Sequence, residues 1–442
     1  MTHIAILGAG PTGLFMAIAL ARRGHRVTVV DRDPGPAPDG GWDRRGVPQF
    51  HHPHGLRQPI MAVLDDVLPD FPAALFAAGA EAIDVKGHPA GIRSRRLTFE
   101  RVLRATAVTE PGVTMVTGHA GDVLRRGGRA AGLLVDGAEL AADLVVDASG
   151  RAGRLGDDLR APESGGDCGV SYVSRQYRLR PGAAPGPVSS AVGLISRFDG
   201  YLGVVFVQDA GTVSVSLTHR STDDAFAALR FPAVFEAVTR VVPGLAEWTE
   251  PGRSEPITRV LPGVHLRNTY RGQLDERGRV ALPGLVHAGD AVCTTNPTAG
   301  RGIATSLAQA RALVRLLGEH PGDVEAATLA FDDHCTRWIR PWFEDHLAGD
   351  PEVVRQLAGE DLDLSRPLAS VHITAAADAD PALKPLVGPY LGMLALPSSL
   401  AAAEPGARRL YESGWRPSPV PGPSRAALVE LIGRTGSAAA RG

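Results

Sequence analysis

Residues 3–31 read HIAILGAGPTGLFMAIALARRGHRVTVVD, and this stretch decides the fold. HIAILG, residues 3–8, is a short buried strand. PTGLFMAIALARRG, residues 11–24, carries apolar residues at helical spacing and meets Gly24 near its stop. HRVTVVD, residues 25–31, is a second strand. Gly8, Gly10 and Gly13 stand in G-x-G-x-x-G order at the turn from strand to helix. Gly8 permits the tight turn, Gly10 lets the backbone approach a pyrophosphate, and Gly13 allows close helix–strand contact. Free N–H groups at the helix start then meet the negative charge. Asp31 ends the second strand, 18 residues past Gly13 (31 − 13), where a carboxylate can accept hydrogen bonds from a ribose. Strand, turn, helix and acid together indicate a dinucleotide, without choosing between FAD and NAD.

The whole chain sets bounds on this reading. Its 442 residues exceed one core and suit two interlocked domains. A formal net charge of −2 gives no global basic field for nucleic acid. Cys168, Cys293 and Cys335 are far apart and lack C-x-x-C spacing, so no disulfide framework or zinc site is expected. A reducing compartment, the cytoplasm, follows as the expected location. The apolar stretch Ile4 to Ala21 is preceded by no positive segment and is broken by glycines and Pro11, which argues against a signal peptide. No uninterrupted apolar run is long enough to span a membrane.

Further along, residues 34–58 form a long Pro-, Gly- and His-rich excursion, of the kind that tends to be functional. Residues 59–80 and 95–108 read as helices, and 113–147 as short strands joined by the RRGGR turn. From about residue 168 strand-like segments dominate. TVSVSLTH, residues 212–219, alternates cleanly: Val213, Val215 and Leu217 face one way, Thr212, Ser214, Ser216 and Thr218 the other. Such a sheet packs on one side and can line a pocket on the other. Residues 325–415 read mainly as helices, and the Pro-, Gly- and Ala-rich tail beyond 416 is expected to end in disorder.

The second motif, LVHAGDAVCTTNPTAGRGIATSLAQA, selects the flavin. Gly289 and Asp290 follow a strand, Pro297 comes next, and Gly300-Arg301-Gly302 opens a helix. An acid here can hold the ribityl hydroxyls. The helix aims its positive end at the N1–C2 edge of the isoalloxazine, an effect of ~0.3–1 kcal/mol at a surface and more when partly buried.

At these residues the chain resembles the class A flavoprotein monooxygenases, with the para-hydroxybenzoate hydroxylase fold. RRGVPQFHHPH (44–54), SYVSRQYR (171–178) and GDAVCTTNPTAGRG (289–302) look closest to a bacterial branch that includes polyether-type olefin epoxidases. The resemblance covers most of the first 320 residues. It implies an α/β fold: a Rossmann-like FAD-binding domain with an interleaved β-sheet substrate domain and C-terminal helices. The expected divisions are 1–160 and 280–325 for the FAD-binding domain, 161–279 for the substrate domain, and 326–442 for the helical region and tail. The implied reaction is epoxidation or hydroxylation of a small hydrophobic substrate through a flavin C4a-peroxide. Asp31 would bind adenosine ribose, Arg96 in RLTFERVL would hold FAD from a helix, and Asp290 would bind the ribityl chain. Pro297 and the Gly300–Gly302 loop, Arg301 included, would flank the ring. Arg32 and Arg45 are further cofactor candidates; Arg44 and Arg45 are read as pyrophosphate partners or as solvated charges.

One departure concerns the electron donor. Family members carry Ala-Asp-Gly in a third motif implicated in FAD and NAD(P)H binding. Here VVDASGRAGR has Ser149 at the acidic position. NADPH or NADH is therefore one possible donor, and a separate flavin reductase is a second. His51, His52 and His54 suggest metal ligands at first sight, but no matching acidic or cysteine cluster accompanies them, and no metal is expected. They read either as proton donors and hydrogen-bond partners near the flavin or as structural loop residues. Tyr172, Arg175 and Tyr177 are the substrate-side candidates, with packing the alternative for each. Trp338, Trp342 and Phe343 are read as helix packing. DASGR also occurs in flavin halogenases, but no W-x-W-x-I-P segment is present and Lys86 and Lys384 are the only lysines. The remaining alternatives are a flavin reductase or dehydrogenase of isoprenoid type, and a non-catalytic FAD-binding protein.

Overall fold

The N-terminal strand, helix and strand form over His3–Leu7, Pro11–Ala21 and Arg26–Asp31 in the computed structural model, which describes residues 1–85 and 87–439. Pro11 takes the first helical position, where no N–H is needed. Every residue from Pro11 to Leu20 is buried, and a helix apolar on all sides belongs inside a core. Five parallel strands make the central sheet, in the order Leu285–His287, Leu144–Asp147, His3–Leu7, Arg26–Asp31 and Val113–Thr117. The chain leaves this sheet after Asp147 and returns at Leu285. That return sets Gly289, at φ +70°, against the Thr12 side chain and so joins the two glycine motifs.

The excursion builds an antiparallel sheet in the order Gly193–Phe198, Tyr201–Val207, Thr212–Arg220 and Val170–Leu179. Ser254–Pro256 and Leu261–Gly263 pair with the last strand. The alternation read from the sequence holds. Val213, Val215 and Leu217 enter a core with Phe235 and Trp248. The opposite face is buried as well: Ser214 Oγ donates to Gln208 Oε1 at 2.8 Å and Ser216 Oγ to the Val173 carbonyl at 3.3 Å.

Helices Val324–Trp338, Arg340–Leu357, Ser370–Ala379, Lys384–Leu391 and Glu404–Glu412 follow. Trp342 and Phe343 are buried in packing, whereas Trp338 is 53% exposed. The tail adds a helix that the sequence reading did not place. Arg425–Ala439 is a helix, and its Leu428 and Ile432 complete the core beneath the antiparallel sheet. Burying each such side chain contributes about 1.5–3 kcal/mol, enough to order a short helix. The chain end at 440–442 lies outside the described residues. Among the described residues no helix is long and apolar enough to cross a membrane.

Candidate functional site

The glycines of the first motif have separable roles. Gly8 adopts φ +104°, and a Cβ there would overlap the Ala148 carbonyl. A Cβ on Gly13 would overlap the Gly8 carbonyl. Gly10 differs: its φ of −83° and ψ of −176° suit any residue, and no protein atom lies within 4 Å of where its Cβ would stand. This position at a helix N-terminus is open, so its glycine is not required by packing.

Beneath it runs a buried line of charges. Asp31 Oδ2 accepts from the Ala9 N–H at 2.6 Å and from Arg44 Nη2 at 2.7 Å. Arg44 Nη1 donates to Glu100 Oε2 at 2.6 Å, and Arg96 Nε donates to Glu100 Oε1. Arg96 Nη1 then faces His54 Nε2 at 3.4 Å. Glu100 is fully buried. Burial alone would lower the Arg44 guanidinium; Glu100 and Asp31 reverse this and raise it. Arg44 is therefore the structural arginine of this loop. Arg45 and Arg32 are exposed and make no ion pair among the described residues, which does not support either as a firm cofactor contact.

At the other end Asp290 follows the strand Leu285–His287, and its Oδ1 accepts from Ser306 Oγ at 3.3 Å. Burial pushes its carboxyl up, against Arg96 and Arg151. Asn296 caps the turn Pro297–Ala299 by accepting from the Thr298 N–H at 3.1 Å. Gly300 takes φ +63°, and Gly302 opens the helix Gly302–Glu319 with no side-chain cap. A Cβ on Gly302 would meet nothing within 4 Å, a second open glycine at a second helix start. The Arg301 side chain does not belong to this opening. It reaches away to Asp345 Oδ2 at 2.7 Å and Tyr390 OH at 2.5 Å, over the Trp342 ring. Arg301 thus ties the loop to the C-terminal helices. Arg57, absent from the sequence reading, grips the same loop through the Gly300 and Ala299 carbonyls. Burial, with Arg301 nearby, pushes its guanidinium down to about 10.

His52 and His54 are structural on this geometry. His52 is 3% exposed, its Nδ1 lies 2.7 Å from Ser174 Oγ, and its ring stands edge-on to Tyr172. Burial pushes it down to about 4, against a hydrogen bond to the Pro262 backbone. His54 Nδ1 donates to the His52 carbonyl at 2.9 Å, leaving Nε2 to accept from Arg96. Burial and Arg96 push it down to about 3. Both are neutral near pH 7, so neither supplies a proton as imidazolium. They hold the loop 44–54 between Arg96 and the strand Val170–Leu179, helped by Gln176 Nε2 on the His51 carbonyl at 2.8 Å. His51 itself lies 3.5 Å from Asp43 and is lowered by burial.

Of the substrate-side candidates, Tyr172 shares the side of its strand that meets the His51–His52 loop with Ser174 and Gln176. Arg175 and Tyr177 lie on the opposite face. Both bind Glu236 Oε1, at 2.7 and 2.6 Å, against the helix Pro232–Thr239. They are packing residues. Ser149 turns inward: its N–H and Oγ donate to Asp147 Oδ1 at 3.0 and 2.5 Å, and Asp147 Oδ2 meets His287 Nδ1 at 3.0 Å.

Two open glycine positions at two helix starts, with Arg96 and Asp290 between them, fit a long dinucleotide ending in a flavin. The chain carries the class A-type FAD monooxygenase fold. Residues 3–84 match the FAD dependent oxidoreductase family and residues 93–162 the tryptophan halogenase family. It is 28% identical over 364 residues to protein Rv3254 of Mycobacterium tuberculosis, covering 71% of this chain and 73% of that protein. Its structure is similar to that of the flavin-dependent brominase Bmp2, with TM-score 0.66 and 15% identity, covering 94% of this chain and all of the other. It is also similar to a 2-methyl-3-hydroxypyridine-5-carboxylic acid oxygenase, with TM-score 0.55 and 16% identity over 81% of this chain and 92% of the other.

Proposed function

We propose that this chain is an FAD-dependent monooxygenase that inserts one oxygen atom into a small hydrophobic, natural-product-like substrate, by epoxidation or hydroxylation. The observation that carries the reading is the pairing of the open Gly10 and Gly302 positions with the buried Asp31–Arg44–Glu100–Arg96 line between them. Bound FAD would supply the electron and dioxygen chemistry. The chain's own residues bind and orient. Backbone N–H groups after Gly10 would hold the pyrophosphate, Asp31 the adenosine ribose, and Asp290 with Arg96 the ribityl chain. The uncapped N–H groups at Gly302 would face the electron-rich edge of the ring. Tyr172 and Ser174, backed by His52, form the wall opposite, and burial there limits water.

Proton supply falls to His51, to solvent or to the substrate, since His52 and His54 are held neutral. The inward turn of Ser149 supports slow direct use of NADPH or NADH, with a separate flavin reductase as the alternative source of electrons. Hydrophobic polyenes and phenols should be offered with reduced FAD in an oxygen electrode cell. Oxygen uptake in step with product supports the reading; product formed without oxygen uptake removes it and promotes a reductase or dehydrogenase.

A further inference from the structure

The helix Arg340–Leu357 buries His346 and Asp350 on the stretch that also buries Trp342, Phe343 and Gly349. Polar groups buried in this way cost free energy unless each is paired. Their partners lead to the loop Asn296–Arg301 at both of its ends. Asp350 Oδ2 accepts from Asn268 Nδ2 at 2.8 Å. Asn268 stands on the strand Arg267–Tyr270, and its Oδ1 accepts from the Asn296 N–H at 2.7 Å. Asn296 in turn caps the Pro297 turn, with Thr298 Oγ1 donating to its Oδ1 at 2.8 Å.

A second arm starts from the same carboxylate. Asp350 Oδ1 lies 3.1 Å from His346 Nδ1, and His346 Nε2 faces Arg301 Nη1 at 3.5 Å. Arg301 is the residue before the helix Gly302–Glu319, and its ion pair with Asp345 falls beside His346. Asn268, Asn296, Arg301, His346 and Asp350 are all buried. The direction of the bonds is fixed at Asp350. A carboxylate accepts on both oxygens at once, whereas an amide offers one oxygen and one N–H group. The Nδ1 proton of His346 therefore points at Asp350, which leaves Nε2 to accept from Arg301. One stretch of helix, from Asp345 to Asp350, thus holds both ends of the loop.

We propose that Asn268, His346 and Asp350 are positioning residues for the flavin. They fix the loop and the start of the helix Gly302–Glu319 against the ring, and so set how much more tightly the protein holds reduced than oxidised FAD. They act through the loop rather than by touching the cofactor. The uncapped N–H groups at Gly302 favour the electron-rich reduced ring. Such helix-end effects fade within one turn, so a small shift of the helix start weakens them. This inference rests on the FAD reading proposed above and adds residues outside both glycine motifs.

Two measurements on the FAD-loaded protein test it. The first is the flavin reduction potential, read by equilibration with a reference dye. Asn268→Ala cuts the first arm without a change of charge, and His346→Leu cuts the second. Each should hold reduced FAD about tenfold less tightly relative to oxidised FAD, a potential about 30 mV lower for a two-electron couple. The second is hydrogen exchange of the Thr298–Gly302 amides. It should be about tenfold faster in both variants and in Asp350→Asn, whose amide cannot accept on both sides. Leu428→Ala, in the core beneath the antiparallel sheet, lowers stability elsewhere and should leave both readouts at the parent values. A parent that takes up no FAD removes the FAD reading, and this inference with it. With FAD bound, an unchanged potential in either Asn268→Ala or His346→Leu overturns this inference alone, as does unchanged exchange. Equal shifts in Leu428→Ala assign the effect to general loosening and also overturn it.

Discussion

Exchanging Gly10 and Gly8 in turn separates the cofactor role of the glycine turn from its structural role. Gly8→Ala forces φ +104° on an L-residue, and its Cβ would stand 2.8 Å from the Ala148 carbonyl carbon. The backbone strain alone costs about 1–3 kcal/mol, and the overlap adds to it. That variant should lose stability before any ligand is considered. Gly10→Ala meets neither penalty. Its φ of −83° is ordinary and its Cβ has no neighbour within 4 Å. Its stability should match the parent or exceed it by about 0.4–1 kcal/mol, because alanine narrows the unfolded ensemble. FAD should suffer instead, since the methyl stands where the pyrophosphate approaches. We expect affinity to fall about 100-fold, about 2.7 kcal/mol, and Gly10→Leu to retain no FAD. Chemical denaturation of the apoprotein and fluorescence titration with FAD measure the two quantities separately. Stoichiometric FAD in Gly10→Leu, or an apoprotein of Gly10→Ala as unstable as that of Gly8→Ala, refutes the reasoning.

Three further outcomes are expected. Arg96→Ala and Asp290→Ala should each raise the FAD dissociation constant by about tenfold, the loss of one charge-assisted contact; unchanged constants in both would remove the assignment. His52 is held near 4 in the fold against an ordinary 6.5, so between those values the unfolded chain binds the extra proton. Stability should fall as pH drops from 6.5, by about 2 kcal/mol at pH 5 from this group alone, and His52→Gln should flatten that slope in denaturation curves taken at each pH. Anaerobic reduction of the bound flavin by NADPH or NADH without substrate should be slow, because Ser149 is spent on Asp147; fast reduction in a stopped-flow spectrometer would contradict this.

The sheet, the helix start and both glycine motifs were legible because each is a local consequence of sequence. Gly8 needs a left-handed φ, and Gly10 needs empty space. Arg301 was misplaced because its partners, Asp345 and Tyr390, come from helices 44 and 89 residues later, and no local pattern announces a side chain turned from its own loop. Tyr172 and Arg175 were grouped although they stand three positions apart on one strand. Strand alternation puts such a pair on opposite faces, so this error was avoidable. Glu100 stands four residues after Arg96 on one helix, a spacing that signals an ion pair. Its full burial and its second partner, Arg44, are visible only in the fold. The histidine run drew attention by composition. Its neutral, clamped state follows from burial against Ser174 and Arg96, which sequence does not encode locally. The tail helix was legible in hindsight, since Leu428 and Ile432 share a helical face four residues apart.

The measurement that tests the central claim most directly is turnover under isotopically labelled dioxygen. The FAD-loaded protein, a source of reduced flavin and a substrate drawn from the hydrophobic panel are incubated together, and the product mass is read. Monooxygenation predicts one labelled oxygen atom in the product and none when only the water is labelled. A product formed at comparable rate without label from dioxygen contradicts the account.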